Sequence, residues 1–359
     1  MKLVILGLSL SSSWGNGHAT TYRALLSALA ARGHDILFLE RDVPWYAEQR
    51  DLPDPEYCRL EFYGDLAGLD RWSGEIAAAD AVMVGSFVPD GIAVGYYVQR
   101  HAQGLTAFYD IDTPVTLAAL RAGRCDYLSP DLVAGYDLYC SFTGGPTLDL
   151  LERSHGSSMA RALYCSVDTE AYRSLDVAKR WDLSYLGTYS ADRQPGLERL
   201  LIEPARLMPE KRFVVAGPQY PATIDWPANV ERIDHLPPGE HAAFYSASRY
   251  TLNLTRADMV EAGWSPSVRL FEAGACATPI LSDVWPGLSS LLTPNREILL
   301  AWNPEQVVVT LNEDRSAVGE AARRRIVAEH SARRRAAELE DHLAEAARMR
   351  MRGAVAAAG

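Results

Sequence analysis

The segment Ser265-Pro-Ser-Val-Arg-Leu-Phe-Glu272 carries a cation, Arg269, three residues before a carboxylate, Glu272. At that spacing two helical side chains share a face. Ser265 has the chemistry of an N-cap, and Pro266 suits the first helical position, where a missing N–H costs nothing. The pattern predicts a helix over 266–276. Its amino end, with Ser267 in it, would offer unpaired N–H groups and roughly half a positive charge to a phosphate. A guanidinium at Arg269 can fork onto phosphate oxygens, and a carboxylate at Glu272, a turn deeper, can accept both hydroxyls of a ribose. One helix would then grip both halves of a nucleotide. The competing reading is a surface ion pair worth roughly a few tenths of a kcal/mol. The apolar company of Val268, Leu270, Phe271, Ala273, Ala275 and Cys276 leaves little polar surface and favours the ligand.

Other residues with chemistry lie at strand ends. Gly15-Asn-Gly17 lets backbone come close to a ligand, or simply makes a tight strand-to-helix turn. His18 follows at the helix start, where the helix dipole keeps an imidazole neutral. It either assists proton transfer and holds a hydroxyl, or caps and packs. Asp110-Ile-Asp112-Thr-Pro114 closes an apolar strand, so its carboxylates stand at the carboxyl edge of a sheet, where ligands bind. Asp110 suits the orienting of an acceptor hydroxyl; Asp112 or Thr113 suits helix capping, as does Asp90. Trp285 stacks on a ligand ring or covers the core edge. Trp264 and Asn253 are open to the same two readings.

At 359 residues the chain fits two domains of about 160 to 190 residues each. A net charge of -11 and a pI near 5.3 argue against a nucleic-acid partner, so any phosphate must be met locally. Cysteines at 58, 125, 140, 165 and 276 form no C-x-x-C pair, which suits a reducing compartment and implies neither zinc nor a disulfide framework. Met1 to Ser9 runs into a loop with no cleavage site and reads as a first strand. No apolar run approaches the roughly 20 residues of a membrane span, and a cytoplasmic protein is expected. Lysines at 2, 179 and 211 stand where a pyridoxal phosphate Schiff base is not expected.

Apolar runs at 2–8, 36–39, 58–63, 81–85, 105–109 and 137–141 alternate with helical patterns at 19–32, 88–100, 114–122 and 147–155. An irregular connector follows at 168–179. A second series has strands at 183–186, 212–216, 230–233, 250–254 and 279–282, with helices at 195–207, 240–248 and 266–276. The fold class predicted is α/β, two tandem Rossmann-like doubly wound domains, 1–165 and 166–314. Residues 315–359 read as terminal helices that lie back on the first domain. Their Arg clusters, interleaved with Glu, suit a solvated face.

Leu252-Asn-Leu-Thr-Arg256, Ser267-Val-Arg-Leu-Phe-Glu272, Pro279 to Asp283 and Pro286-Gly-Leu288 resemble the CgeB-like (spore-maturation-protein) branch of GT-B glycosyltransferases, across most of residues 180–312. Gly15-Asn-Gly17 and Arg32-Gly-His34-Asp resemble the Gly-rich loop and first-helix end of family 4 glycosyltransferases. The resemblance implies a donor domain in which Glu272 binds the ribose, while Gly217 and the backbone near His235 and Leu236 flank the base. It implies a metal-independent enzyme with no cofactor, a nucleoside diphosphate sugar as co-substrate, and retention of anomeric configuration. Departures are specific. Trp264 stands where the family has a second Glu, Thr188 where it has a diphosphate-binding Arg, Arg193 or Gln194 near its companion Lys, and Ala277 where a Gly is common.

The expectation is transfer of a sugar to an unidentified acceptor. The diphosphate would leave against Arg269, Arg193 and the helix start; His18 and Asp110 would serve the acceptor, and Ser267, Asn253 and Trp285 the donor. An epimerase on the same scaffold and a non-catalytic nucleotide-sugar binder are the alternatives.

Overall fold

The structure, a computed structural model, describes residues 1–14 and 17–358. Its contacts divide the chain into two units, Met1–Ser166 with Ala332–Gly359, and Val167–Ser331.

The first unit is built on seven parallel strands: β1 (Lys2–Gly7), β2 (Asp35–Arg41), β3 (Arg59–Tyr63), β4 (Ala81–Gly85), β5 (Leu105–Asp110), β6 (Leu138–Ser141) and β7 (Ala160–Ala162). Their order is β3-β2-β1-β4-β5-β6-β7. After Lys2, every residue of β1 is buried, as expected of a strand covered by helices on both faces. Leu3 pairs with Ile36 on one side and Ala81 on the other, so β1 and β4 are the adjacent strands at which the winding reverses.

The final helix, Ala332–Ala358, packs against the first, His18–Ala31. Glu340 pins it by accepting from Arg32 Nε at 2.8 Å and meeting His34 Nε2 at 2.6 Å. The guanidinium of Arg32 is the main reason that the Glu340 pKa falls to about 2. Glu345 pairs with Arg161 at 2.5 Å further along the same helix.

The second unit repeats the winding with six parallel strands: β8 (Trp181–Leu186), β9 (Phe213–Ala216), β10 (Val230–Ile233), β11 (Ser248–Asn253), β12 (Ile280–Ser282) and β13 (Leu299–Leu300), ordered β10-β9-β8-β11-β12-β13. The reversal falls between β8 and β11. Leu183, Tyr185, Val215, Leu252 and Leu281 are at most 1% exposed and form the centre of its core.

Two helices differ from the sequence reading. The helix expected from Ser265 and Pro266 begins at Val268, with Ser267 as its N-cap residue in extended geometry (φ -76°, ψ 150°). The Ser267 hydroxyl does not cap; it donates to Asn253 Oδ1 at 2.7 Å. The helix expected over 195–207 contains a wide turn at Glu198–Ile202 just ahead of Pro204. Proline has no N–H for the carbonyl four residues back, so the ladder must loosen there.

Candidate functional site

At the switch point of a doubly wound sheet, loops from two neighbouring strands diverge and leave a crevice at the carboxyl ends. In the second unit that place is marked by Leu186, the last residue of β8, and Asn253, the last of β11. Arg269, only 6% exposed, reaches both. Its Nε donates to the Leu186 carbonyl at 2.6 Å and its Nη1 to Asn253 Oδ1 at 3.2 Å. The guanidinium lies 4.7 Å from the centre of the Tyr185 ring. Asn253 is fully buried, and its Nδ2 donates onward to Ser282 at 2.9 Å and to Thr255 at 3.3 Å.

Arg193 stands just beyond β8, with Nη2 donating to the Thr188 carbonyl at 2.7 Å. Its Nε is buried and has no hydrogen-bond partner among the described residues. Burial lowers the Arg193 pKa, and the charge of Arg269 lowers it further, so the two cations sit within each other's field. Among the described residues neither has an ion-pair partner. Two guanidiniums within each other's field at a sheet switch point have the chemistry to receive a multiply charged anion.

Glu272 is 5% exposed, one turn on from Arg269. Its Oε2 accepts from Tyr245 at 3.3 Å and lies 4.0 Å from His241 Nδ1, which itself meets Tyr172 Oη at 3.1 Å. Gly217 follows β9 at φ +137°, and a Cβ there would come within 2.1 Å of the Gly187 carbonyl oxygen. The glycines therefore let the ends of β8 and β9 close up beneath the arginines. His235 is exposed after β10, and the neighbouring Leu236 carbonyl contacts His241 Nε2 at 3.2 Å. Trp285 is 3% exposed and its indole N–H is buried without a partner among the described residues.

The sequence reading missed an aromatic group at the β9 end. Arg232 lies 4.2 Å from the Tyr220 ring centre and 4.9 Å from that of Trp226, and donates to the Gly217 carbonyl at 3.0 Å. Tyr220 Oη donates to the Gly187 carbonyl at 3.0 Å. Those residues are scattered over loops with no periodic pattern to expose them.

In the first unit His18 opens its helix and is 7% exposed. Its Nε2 is 3.7 Å from Asp112 Oδ2, its ring meets Phe87 edge-on at 5.5 Å, and Nδ1 is buried without a partner among the described residues. Gly17 is the N-cap residue of that helix, and Gly15 lies outside the described residues.

Asp110 is wholly buried, accepting from Tyr139 at 2.5 Å and from Thr116 at 2.7 Å. Burial, with the charge of Asp112 adding to it, raises its pKa to about 6. The acid that reaches His18 is Asp112, whose side chain does not cap the following helix. Asp90 does not cap either; it pairs with Arg41 at 3.2 Å.

Glu40, also unforeseen, ends β2 within one residue and is fully buried. In dinucleotide-binding folds an acid near this position takes a ribose. Here it accepts from the Leu10 and Ser11 amides at 2.6 and 2.9 Å, and so is spent on its own loop.

Among the described residues no cluster of His, Cys, Asp or Glu is placed to hold a metal ion. No helix among them is long and apolar enough to cross a membrane.

Residues 193–341 match a protein family described as glycosyl transferase-like. No curated protein matches the sequence. Among solved structures, sucrose-phosphate synthase from Thermosynechococcus elongatus is 14% identical, with a TM-score of 0.64 over 99% of this chain and 100% of that one. Anabaena HepE in complex with UDP is 12% identical, with a TM-score of 0.70 over 96% and 100%. An alpha-glucosyltransferase in complex with UDP is 11% identical, with a TM-score of 0.69 over 96% and 100%. The two parallel sheets with flanking helices are the GT-B fold of such enzymes.

Proposed function

We propose, from the premise that this chain is a GT-B enzyme of the glycosyltransferase type, that it transfers a sugar from a uridine diphosphate sugar to an acceptor bound by the first unit. The observation that carries this reading is the pair Arg269 and Arg193, two cations without a carboxylate partner at the carboxyl edge of β8. The diphosphate of the donor supplies the missing charge. Ser267 does not cap the helix Val268–Ala275 with its side chain, and although the Leu270 amide bonds the Ser267 carbonyl, the amides of Val268 and Arg269 add to the same anion site. UDP and UDP-glucose complexes among the structural neighbours favour uridine as the base. Glu272 takes the ribose, beside Tyr245, and Gly217 with the backbone at His235 frames the base.

In the reaction the bond from the anomeric carbon to the β-phosphate oxygen breaks, and a bond to the acceptor oxygen forms. The acceptor proton passes to a base, and UDP leaves with both bridging electrons. Charge growing on the diphosphate is met by Arg269 and Arg193, donors already held in place, which lowers the barrier without a metal. His18, with Nε2 3.7 Å from Asp112, handles the acceptor proton or holds a hydroxyl. Asp110 acts from behind, through the hydroxyls that it accepts from. Placement in the CgeB-like branch and retention of configuration belong to the same proposal.

Thermal shift with a panel of nucleotide sugars tests the donor. A ligand at 100 times its dissociation constant adds about 2.7 kcal/mol, so a true donor raises Tm clearly. Labelled donor then reports the chemistry: transfer or hydrolysis supports the reading, an isomerised nucleotide sugar means epimerase, and binding without turnover means a non-catalytic binder.

A further inference from the structure

A cavity of about 350 Å³ opens in the second unit beside the arginine pair, between Asp192–Arg199 on one wall and Leu254–Glu261 on the other. Small-ligand sites start at about 300 Å³, so the space suits a single sugar ring rather than a whole nucleotide. It adjoins the arginine site. Asn253 holds Arg269, and its amide bonds Thr255 and Ser282; Thr255 and Asp283 are on the cavity wall. Arg193 lines the cavity as well. A glycosyl group joined to a diphosphate between the arginines would therefore project here.

Asp283 is the side chain fitted to read it. Oδ2 accepts from the Thr255 amide at 2.8 Å, and Oδ1 accepts from the Thr255 hydroxyl at 2.9 Å and from Ser282 at 3.3 Å. A carboxylate offers about four lone-pair positions, which leaves room for one more donor. Burial raises the Asp283 pKa, and an added hydroxyl donor would favour its charged form.

The loop is also fixed in place. Trp264, at φ +43°, donates its amide to the Pro286 carbonyl at 2.7 Å, and its indole lies so close over Gly287 that a Cβ there would be 2.4 Å away. On the apolar side the cavity has Pro195, Leu254 and Val260, a surface for the C–H face of a sugar. We propose that this cavity holds the transferred sugar and that Asp283 determines its identity by accepting one ring hydroxyl. The ligand is a neutral hexose with a hydroxyl at that position; deoxygenation there, or a carboxylate on the sugar, is rejected. The inference rests on the donor reading above.

The test is calorimetric binding of UDP, UDP-glucose, UDP-galactose, UDP-N-acetylglucosamine and UDP-glucuronate to the full chain, to Asp283→Asn and to Val260→Trp. Asp283→Asn removes the acceptor, and Val260→Trp fills the cavity from the opposite wall. The expected result is that the wild type prefers one neutral sugar by about tenfold or more, as a hydroxyl-reading site should. Both variants then lose that preference while still binding UDP. A wild type that does not discriminate, or variants that keep the preference, overturns the proposal. Should Asp283→Asn fail to fold, Val260→Trp alone decides. A wild type with no affinity for UDP overturns the donor reading itself, and this inference with it.

Discussion

Arg269 and Asn253 meet where the second sheet reverses its winding, with Nη1 3.2 Å from Oδ1. The same amide oxygen accepts from Ser267, the residue before the helix that carries Arg269. Asn253 thus sets both the guanidinium and the start of its helix, and does so without charge. A carboxylate in that place would fix the arginine equally well and neutralise it. A neutral acceptor adds no counter-charge and leaves the guanidinium to a ligand.

Asn253→Asp therefore supplies the counter-ion that Arg269 lacks. The expected outcome is a fall in UDP affinity of about tenfold or more, since a hydrogen bond to a charged group contributes about 1.5–3 kcal/mol. Folding should be retained. Calorimetric titration with UDP reads the affinity, and an unchanged dissociation constant would show that the anion does not sit on Arg269.

Glu272 is expected to read the ribose hydroxyls. Wild-type protein should bind UDP more tightly than 2′-deoxy-UDP, and Glu272→Ala should bind the two alike, with the loss for UDP about tenfold. If the variant keeps the preference, the carboxylate is held by Tyr245 and His241 for structural reasons alone.

The βα alternation, and with it both sheets, was legible because buried parallel strands read as unbroken apolar runs such as Leu3 to Leu6. Short elements were not. The helices Pro44–Ala47, Pro130–Gly135 and Ala257–Ala262 span too few residues for a period to show. At the site, Arg269 and Glu272 stood out because charge in an apolar helix is conspicuous. Asp283 and Thr255 did not, since polar residues after a strand resemble any loop; their meeting 28 residues apart is made by the pairing of β11 with β12. Likewise Asp112, read as a cap, reaches His18 only because β1 and β5 flank β4.

Asp110 should leave a mark on the pH dependence of stability. Its folded pKa of about 6 lies above the ordinary carboxylate value of about 3.9. Between those values the folded state binds more protons than the unfolded one, so stability falls as pH rises from about 4 to 6 and levels off above. The span corresponds to about 3 kcal/mol. Asp110→Asn lacks the titration and should flatten that slope relative to wild type. Denaturant unfolding from pH 4 to 7 measures the difference, and parallel curves for the two proteins would refute the assignment.

Gly217 and Gly187 separate folding from binding. Alanine at 217 would put Cβ 2.1 Å from a backbone oxygen, at a φ of +137° that L side chains avoid. Neither can relax by a side-chain rotation, so Gly217→Ala should cost about 1–3 kcal/mol in strain alone and lower Tm by several degrees. Alanine at 187 instead meets Arg269 Nη2 at 2.6 Å, the end of a movable side chain. Gly187→Ala should lower Tm less and yet weaken UDP binding, because the guanidinium must leave its position between Leu186 and Asn253. Equal Tm losses for the two variants, or normal UDP binding by Gly187→Ala, would mean that the close approach at the β8 and β9 ends is not what aims the arginine.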